Sequence, residues 1–195
     1  MRKQSKTTGQ KVWMVAGAAH GLASSTIRFL LARQQIVIAV LFEKEEIVSI
    51  PSDETKHLEV FNLSLLSEEQ FKIQLNDIIK KYGRIDFLIN NINHNLIDSL
   101  SNKCDQNMND MVSCKANAAM HFIHLVRPYL KNGSKGHIIS LQPQQIIAGS
   151  TANTAVNHAM QSYCHNLQLE LQTIDASLSF FGAAANPFPD SIHHL

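Results

Sequence analysis

Short apolar runs alternate with segments of helical periodicity along this chain of 195 residues. The apolar runs are rich in β-branched side chains, which is typical of strands buried on both faces of a parallel sheet. We predict six strands, at residues 12–16, 36–42, 57–61, 85–89, 136–141 and 176–181. Apolar residues that recur at helical spacing predict helices at residues 24–33, 67–82, 108–130 and 152–173.

This order of elements predicts an α/β fold with a Rossmann-like, doubly wound parallel sheet. About six strands would form the middle of three layers, with helices on both faces of the sheet. The length suits a single domain that spans residues 1–195. Ser67 is the predicted N-cap of the second helix, because Gln70 follows at the spacing of a capping box, and Gly83 is its predicted stop.

The loop at residues 17–23 carries the first candidate chemistry, because it joins a strand to a helix and reads Gly-Ala-Ala-His-Gly-Leu-Ala. Unpaired backbone N–H groups at a helix N-terminus attract anions such as a pyrophosphate. Gly17 and Gly21 allow positive φ or close approach of a ligand, and Ala23 allows tight packing of the helix on the sheet. A tight turn that binds nothing is the alternative interpretation, since a glycine pattern alone is weakly specific.

Composition narrows the classes of partner. A formal net charge of +1 gives no electrostatic basis for binding nucleic acid or a membrane surface. No apolar stretch reaches the roughly 20 residues of a membrane span, and basic residues 1–6 lack the apolar run of a secretory signal. Cys104, Cys114 and Cys164 show no zinc-ligand spacing, so we expect no metal site and a reduced, cytoplasmic compartment.

Four segments resemble, in order, motifs of the short-chain dehydrogenase/reductase family. Residues 17–23 resemble the TGxxxGxG cofactor loop, and residues 82–91 resemble the run YGxIDxLVNNAG. Residues 115–117 resemble the segment that carries the family's helical Asn, and residues 136–140 resemble the GxIVNISS strand. The resemblance implies a Rossmann fold, NAD or NADP as cofactor, and hydride transfer between an alcohol and a carbonyl.

The family's proton relay consists of Asn, Ser, Tyr and a Lys four residues after the Tyr, whose charge lowers the pKa of the phenol. By resemblance, Asn117 is the relay Asn, unless it only pairs with main-chain groups in the helix. Family spacing puts Asn153 at the Tyr position and Asn157 at the Lys position. The Ser position falls on Ser140 or Pro143, depending on the direction of counting. An Asn neither transfers a proton near neutral pH nor carries a charge, so we expect this degenerate relay to be inactive.

The resemblance also implies a set of cofactor-binding residues near the strand ends. They are Gly17, Ala19, His20, Gly21, Leu22, Glu43, Asn62, Leu63, Asn90 and Ile92. Glu43 follows the second strand, where an acid would bind the adenosine ribose, but it also begins a charged run typical of a solvated loop. Asn62 stands where the family has an Asp beside the adenine. Asn90 either lies at the adenosine ribose, as the resemblance implies, or simply ends the strand and binds no ligand.

Three functions fit these residues. The first is a non-catalytic regulatory or structural subunit, and the second is a sensor that binds NAD(P) without chemistry. The alternative is an NAD(P)-dependent oxidoreductase with an atypical relay, in which His94, His158 or Tyr163 supplies the proton.

The resemblance further implies an assembly and a shortened fold. We expect a homodimer through residues 108–130 and 152–173, or a hetero-oligomer with an active family member. The outer faces of these helices would present Phe122 and Met160, unless those side chains form a core stripe. No counterpart of the family's substrate loop and seventh strand follows the sixth strand, so we expect a sheet shortened at the C-terminus.

Overall fold

A computed structural model describes most of the predicted sheet and its helices. The described residues are 9–18, 21–42, 55–62, 67–91, 119–131, 136–142, 151–172 and 177–182. The strands are β1 (Val12–Ala16), β2 (Ile36–Leu41), β3 (Leu58–Asn62), β4 (Phe87–Asn90), β5 (His137–Gln142) and β6 (Ser177–Gly182). They form one sheet of parallel strands in the order β3-β2-β1-β4-β5-β6. This is the order of a doubly wound sheet, so the predicted Rossmann-like fold is confirmed.

The helices follow the predicted periodicity, with one shortened end. They are α1 (Gly21–Ala32), α2 (Glu68–Tyr82), α3, which the structure describes over residues 119–126, and α4 (Thr151–Gln172). Residues 108–118 of the predicted third helix lie outside the described residues. A 3-10 turn at Arg127–Lys131 follows α3, whereas the periodicity predicted helix up to residue 130. Pro128 explains the difference, because it has no N–H to donate to the preceding turn of an α-helix.

The predicted caps of α2 are confirmed. The Ser67 side chain accepts a hydrogen bond from the Gln70 N–H, and the Gln70 side chain accepts one from the Ser67 N–H. Gly83 ends the helix with φ +81°, a conformation that glycine adopts without steric cost.

Successive residues of the central strands point into two separate cores, which makes the fold three-layered. One face packs against α1 through Val15, Val37, Ala39, Ile27 and Leu30. The other face packs against α2, α3 and α4 through Met14, Ile38, Leu75, Phe122, Ile123 and Met160. Phe122 and Met160 are 2% and 0% exposed, so they form the core stripe and are not part of an outer helix face.

The buried carboxylate of Asp86, which directly precedes β4, is hydrogen-bonded to the first residue of β1. Asp86 is 1% exposed, and its Oδ2 accepts a hydrogen bond of 2.8 Å from the Val12 N–H. Arg84 Nε lies 3.0 Å from the same oxygen, and Lys11 Nζ lies 3.9 Å from Oδ1. Strand β4 begins at Phe87, directly after this carboxylate and two residues after its predicted start.

Candidate functional site

The turn after β1 lies where the strand order of the sheet reverses. Strand β1 pairs with β2 on one side and β4 on the other, so the chain that leaves β1 enters the crevice where doubly wound sheets bind ligands. Gly17 has φ +68°, a conformation that glycine adopts readily. The N–H groups of Gly17 and Ala18 both donate to the Val40 carbonyl, at 3.1 and 3.3 Å. The turn is therefore held against the carboxyl end of β2.

Helix α1 begins at Gly21, four residues after Gly17, and presents its N-terminus to the same crevice. Ala23 is completely buried in the core between α1 and the sheet, and Leu22 packs against that core. The first turn of α1 contains no acidic side chain. An anion at this position would meet unpaired N–H groups and the positive end of the helix dipole, so the site fits a pyrophosphate.

Two asparagines close the crevice from the side of β4. Asn90 is the last residue of β4, is 1% exposed, and pairs in register with Ala16 and Ser140. Asn91 is 2% exposed, and its N–H donates to the Ala16 carbonyl at 3.2 Å. Its Nδ2 donates to the Gly17 carbonyl, also at 3.2 Å. Asn91 was not among the predicted site residues, although the Asn-Asn pair at the strand end was a signal for it.

Asn62 lies at the same edge of the sheet, on the far side of β2. It is the last residue of β3, pairs in register with Leu41, and is half-buried. Adjacent strands are about 4.8 Å apart, so Asn62 lies about 10 Å from the end of β1. That spacing puts Asn62 beside the crevice at the end of β1.

Ser140 lies inside β5, two residues before the strand ends, and is completely buried. Its neighbour on α4 is Cys164, which is equally buried. Burial raises the pKa of the Cys164 thiol to about 11, and the neighbouring Ser140 hydroxyl opposes part of that rise. Ser140 is therefore a core residue below the carboxyl edge, and its hydroxyl makes no hydrogen bond to any residue that the structure describes.

Helix α4 carries both positions of the degenerate relay. Asn153 and Asn157 lie within the first two turns and are four residues apart, so they share one face of the helix near the carboxyl edge of the sheet. Their side chains fall outside the described part of the structure.

Tyr163 and His158 lie elsewhere on α4. Tyr163 follows Asn153 by ten residues, which is about 15 Å along a helix. Its hydroxyl donates to the Met120 carbonyl of α3 at 3.4 Å, and burial raises the pKa of its phenol. His158 is exposed and follows Asn157 directly, so it projects about 100° around the helix from that residue.

The remaining predicted site residues fall outside the described ranges. They are Asn117, Ala19, His20, Glu43, Leu63, Ile92, Pro143 and His94. Across the residues that are described, no cluster of three or more His, Cys, Asp or Glu side chains could hold a metal ion. Within those same ranges, no helix is long and apolar enough to cross a bilayer.

Known proteins match the chain over most of its length. Residues 11–178 match the family described as short chain dehydrogenase. A 3-oxoacyl-(acyl-carrier-protein) reductase of Thermotoga maritima is 23% identical over 147 residues, which is 74% of this chain and 60% of the relative. An uncharacterized oxidoreductase of Staphylococcus saprophyticus is 24% identical over 169 residues, or 83% and 72% of the two chains. This chain thus spans less than two thirds of the length of the first relative.

Crystal structures share the fold at low sequence identity. A short-chain dehydrogenase from Streptomyces avermitilis has a TM-score of 0.70 and 19% identity, covering 88% of this chain and 65% of the other. A metagenomic short-chain oxidoreductase in complex with NADP has a TM-score of 0.70 and 17% identity, covering 93% and 84%. An NAD+-bound xylitol dehydrogenase has a TM-score of 0.68 and 16% identity, covering 88% and 68%.

Proposed function

This chain belongs to the short chain dehydrogenase family, and we propose that it is an NAD(P)-dependent oxidoreductase with an atypical proton relay. Its reaction would transfer a hydride between the nicotinamide and an alcohol or carbonyl substrate. The observation that carries the proposal is the Gly17 turn, which has positive φ and lies between the strand-order reversal and the N-terminus of α1. The names of the relatives, a reductase and an oxidoreductase, support the same class of reaction.

The residues at the carboxyl edge fit a dinucleotide. The first turn of α1 would hold the pyrophosphate, since its backbone N–H groups are donors and it carries no acidic side chain. Asn62, together with Glu43 and Leu63, would contact the adenosine, and Asn90 with Ile92 would line its ribose. A bound NAD or NADP supplies the hydride acceptor or donor for the reaction.

The proton must come from a group other than the family's tyrosine, because Asn153 occupies that position. Tyr163 is poorly suited, since it lies about 15 Å along α4 from Asn153 and its hydroxyl is directed toward α3. His158 and His94 remain as proton donors in this proposal. An imidazole can serve as general acid and general base.

A non-catalytic role is the second candidate function. It is favoured by the sequence, in which Tyr82, Tyr129 and Tyr163 are each followed four residues later by Asp, Gly or Leu instead of Lys. The protein would then be an NAD(P)-binding sensor or a regulatory subunit, alone or with an active family member. We also propose a cytoplasmic location and a dimer through α3 and α4. A monomer by light scattering at high protein concentration would rule out the homodimer.

Calorimetric titration with NAD, NADH, NADP and NADPH tests both candidates. Binding of one dinucleotide, with turnover over a panel of alcohols and ketones, is the expected result. Binding without turnover on any substrate of the panel would favour the sensor. The absence of binding to all four would overturn the oxidoreductase and the sensor together, and would leave only a structural subunit.

A further inference from the structure

Three polar side chains meet near the amino ends of β5 and β6, at the other end of the strands from the crevice. The His137 ring contacts the Ser177 hydroxyl through Nδ1 and the Ser179 hydroxyl through Nε2, the latter at 2.9 Å. Ser177 pairs in register with His137 and Ser179 follows two residues later, so all three side chains project from one face of the sheet. A histidine between two serines has the arrangement of a nucleophile, its general base and a group that orients the base.

The two ring nitrogens of His137 suit two different roles. When Nδ1–H donates to the Ser177 hydroxyl oxygen, Nε2 carries the lone pair and accepts the hydroxyl proton of Ser179. Burial lowers the pKa of the His137 imidazole, so the ring is neutral at pH 7 and can act as a base. Ser177 is exposed, and Ser179 and His137 are half-buried, so the group retains contact with solvent.

An apolar surface extends from this group along the same face of the sheet. Phe87 pairs in register with His137, and their ring centroids are 6.1 Å apart. The Trp13 ring stacks on Phe87 with centroids 3.8 Å apart, and the half-buried Ile139 pairs in register with Ser179. Of the helices that the structure describes, only α1 packs on this face, over β1 and β2. An aryl or acyl group therefore has apolar surface to contact beside Ser179.

The outer edge of β6 provides a donor next to the Ser179 hydroxyl. The Ser177 N–H donates to the Gly136 carbonyl at 2.9 Å, toward β5. Successive N–H groups of a strand point to opposite sides, so the N–H of residue 180 points away from β5. None of the described strands pairs with β6 on that side. This N–H directly follows Ser179 and can donate to an oxyanion that forms on a carbonyl group there.

We propose that Ser179 and His137 form a second catalytic site, which hydrolyses esters with an apolar acyl or aryl group. Ser179 Oγ attacks the carbonyl carbon of the ester while His137 Nε2 takes the hydroxyl proton. The ester C–O bond then breaks, the alcohol leaves with that proton, and the acyl group stays on Ser179. Water attacks the acyl carbon with His137 as the base, and the carboxylic acid leaves as the proton returns to Ser179 Oγ. This reaction is independent of the dinucleotide and goes beyond the proposed oxidoreductase.

Covalent labelling of the wild-type protein tests the site directly. An alkyl fluorophosphonate reacts with serines that a neighbouring base activates, so we expect mass mapping of the labelled protein to find the phosphonate on Ser179. The absence of a label, a label on another residue, or equal labelling of the heat-unfolded protein would overturn the proposal. Because this test uses the wild type, its result does not depend on how a variant folds.

Hydrolysis of p-nitrophenyl butyrate gives the second test. We expect Ser179→Ala to lower kcat/KM to the rate of the unfolded protein and His137→Gln to lower it by about 100-fold. Ser162→Ala is the control and should keep the wild-type rate, because Ser162 is an exposed serine of α4, on the other face of the sheet. Equal rates in Ser179→Ala and the wild type would overturn the proposal.

Addition of NADH or NADPH separates this site from the proposed dinucleotide site. The crevice lies at the carboxyl ends of the strands, so neither dinucleotide should change the rate of ester hydrolysis. Competitive inhibition by a dinucleotide would place the hydrolysis in the crevice and would overturn the proposal. Hydrolysis at Ser179 in a protein that binds no dinucleotide would support this second site and reject only the proposed oxidoreductase.

Discussion

The buried polar side chains at the two edges of the sheet differ in charge and in how they are paired. At the amino edge, the buried Asp86 carboxylate is paired with Arg84, Lys11 and a backbone N–H of β1. At the carboxyl edge, the described side chains Asn90 and Asn91 are buried and neutral. A carboxylate at the carboxyl edge would repel a pyrophosphate, whereas at the amino edge it only has to be satisfied by the protein. The comparison therefore separates an edge whose buried charge is satisfied within the protein from the edge at which we propose that the dinucleotide binds.

The largest expected effect is the loss of stability when the buried Asp86 carboxylate is removed. Asp86→Ala leaves the Val12 N–H and the Arg84 guanidinium without their acceptor, so we expect the free energy of unfolding to fall by about 3 kcal/mol. Denaturant unfolding measures the loss, and calorimetry on the folded variant should give an unchanged dinucleotide Kd. Asp77→Ala is the control, because Asp77 is exposed in its ion pair with Lys80 and such pairs contribute less than about 1 kcal/mol. A higher dinucleotide Kd in Asp86→Ala than in the wild type would show that the two edges are coupled.

The reactivity of the Cys164 thiol tests whether solvent reaches the layer below the carboxyl edge. Burial raises the pKa of Cys164 to about 11, so at pH 8 the thiolate population is roughly 200-fold smaller than for a free cysteine. In a variant with Cys104→Ser and Cys114→Ser, we expect labelling by a thiol reagent to be slower than for a free thiol by at least that factor, because Cys164 is also completely buried. Labelling in denaturant should proceed at the ordinary rate. Rapid labelling of the native variant would mean that solvent reaches the layer beneath this edge.

Two glycines with positive φ, Gly17 and Gly83, distinguish an effect on ligand affinity from an effect on stability alone. Gly17→Ala and Gly83→Ala each introduce a side chain at a φ that L-residues avoid, so both should lower the free energy of unfolding by about 1 kcal/mol. Only Gly17→Ala is expected to raise the dinucleotide Kd, by about tenfold, since Gly83 lies at the end of α2 with open space around it. Equal Kd values in the two variants would contradict the assignment of the Gly17 turn.

The smallest effect concerns His137 at the amino edge. Its ring contacts the hydroxyls of Ser177 and Ser179, and burial lowers its pKa below the ordinary 6.5. The unfolded chain therefore binds the proton more tightly, and stability falls as the pH drops below about 6.5. In His137→Gln this slope should disappear, as measured by urea unfolding from pH 7.5 to 5.5.

Carboxylates do not obscure this slope. Glu59 has a pKa lowered by its hydrogen bonds to Lys81 and Tyr82 against the opposing effect of burial, and Glu68 has a pKa lowered by Lys72 and His121. Stability that depends on these two groups is lost only as the pH falls below about 4.5. If the free energy of unfolding of His137→Gln still falls between pH 7.5 and 5.5, a group other than His137 causes the pH dependence.

Much of the architecture was predictable from local patterns. Strands buried on both faces must be continuously apolar, so runs such as those around Ile38 and Leu88 identified the sheet and its parallel character. The capping box at Ser67 and the stop at Gly83 were visible because each depends on residues within one helical turn. The Gly17 turn was predictable for the same reason, since strand, glycine and helix are adjacent in the chain.

The contacts that define the two edges were not predictable in this way. Asp86 reaches Val12, and Asn91 reaches Gly17, each across 74 residues of sequence. Such pairs carry no periodicity, because they arise only when β4 is placed beside β1 in one particular register.

The sequence by itself therefore determined the order of elements, the parallel sheet and the missing tyrosine–lysine pair, because composition and local spacing encode them. The tertiary structure alone decided that the Asn91 side chain donates to the Gly17 carbonyl, that Ser140 is completely buried, and that the Tyr163 hydroxyl donates to the Met120 carbonyl of α3. These facts depend on which strands and helices become neighbours, and long-range packing, not local propensity, selects those neighbours.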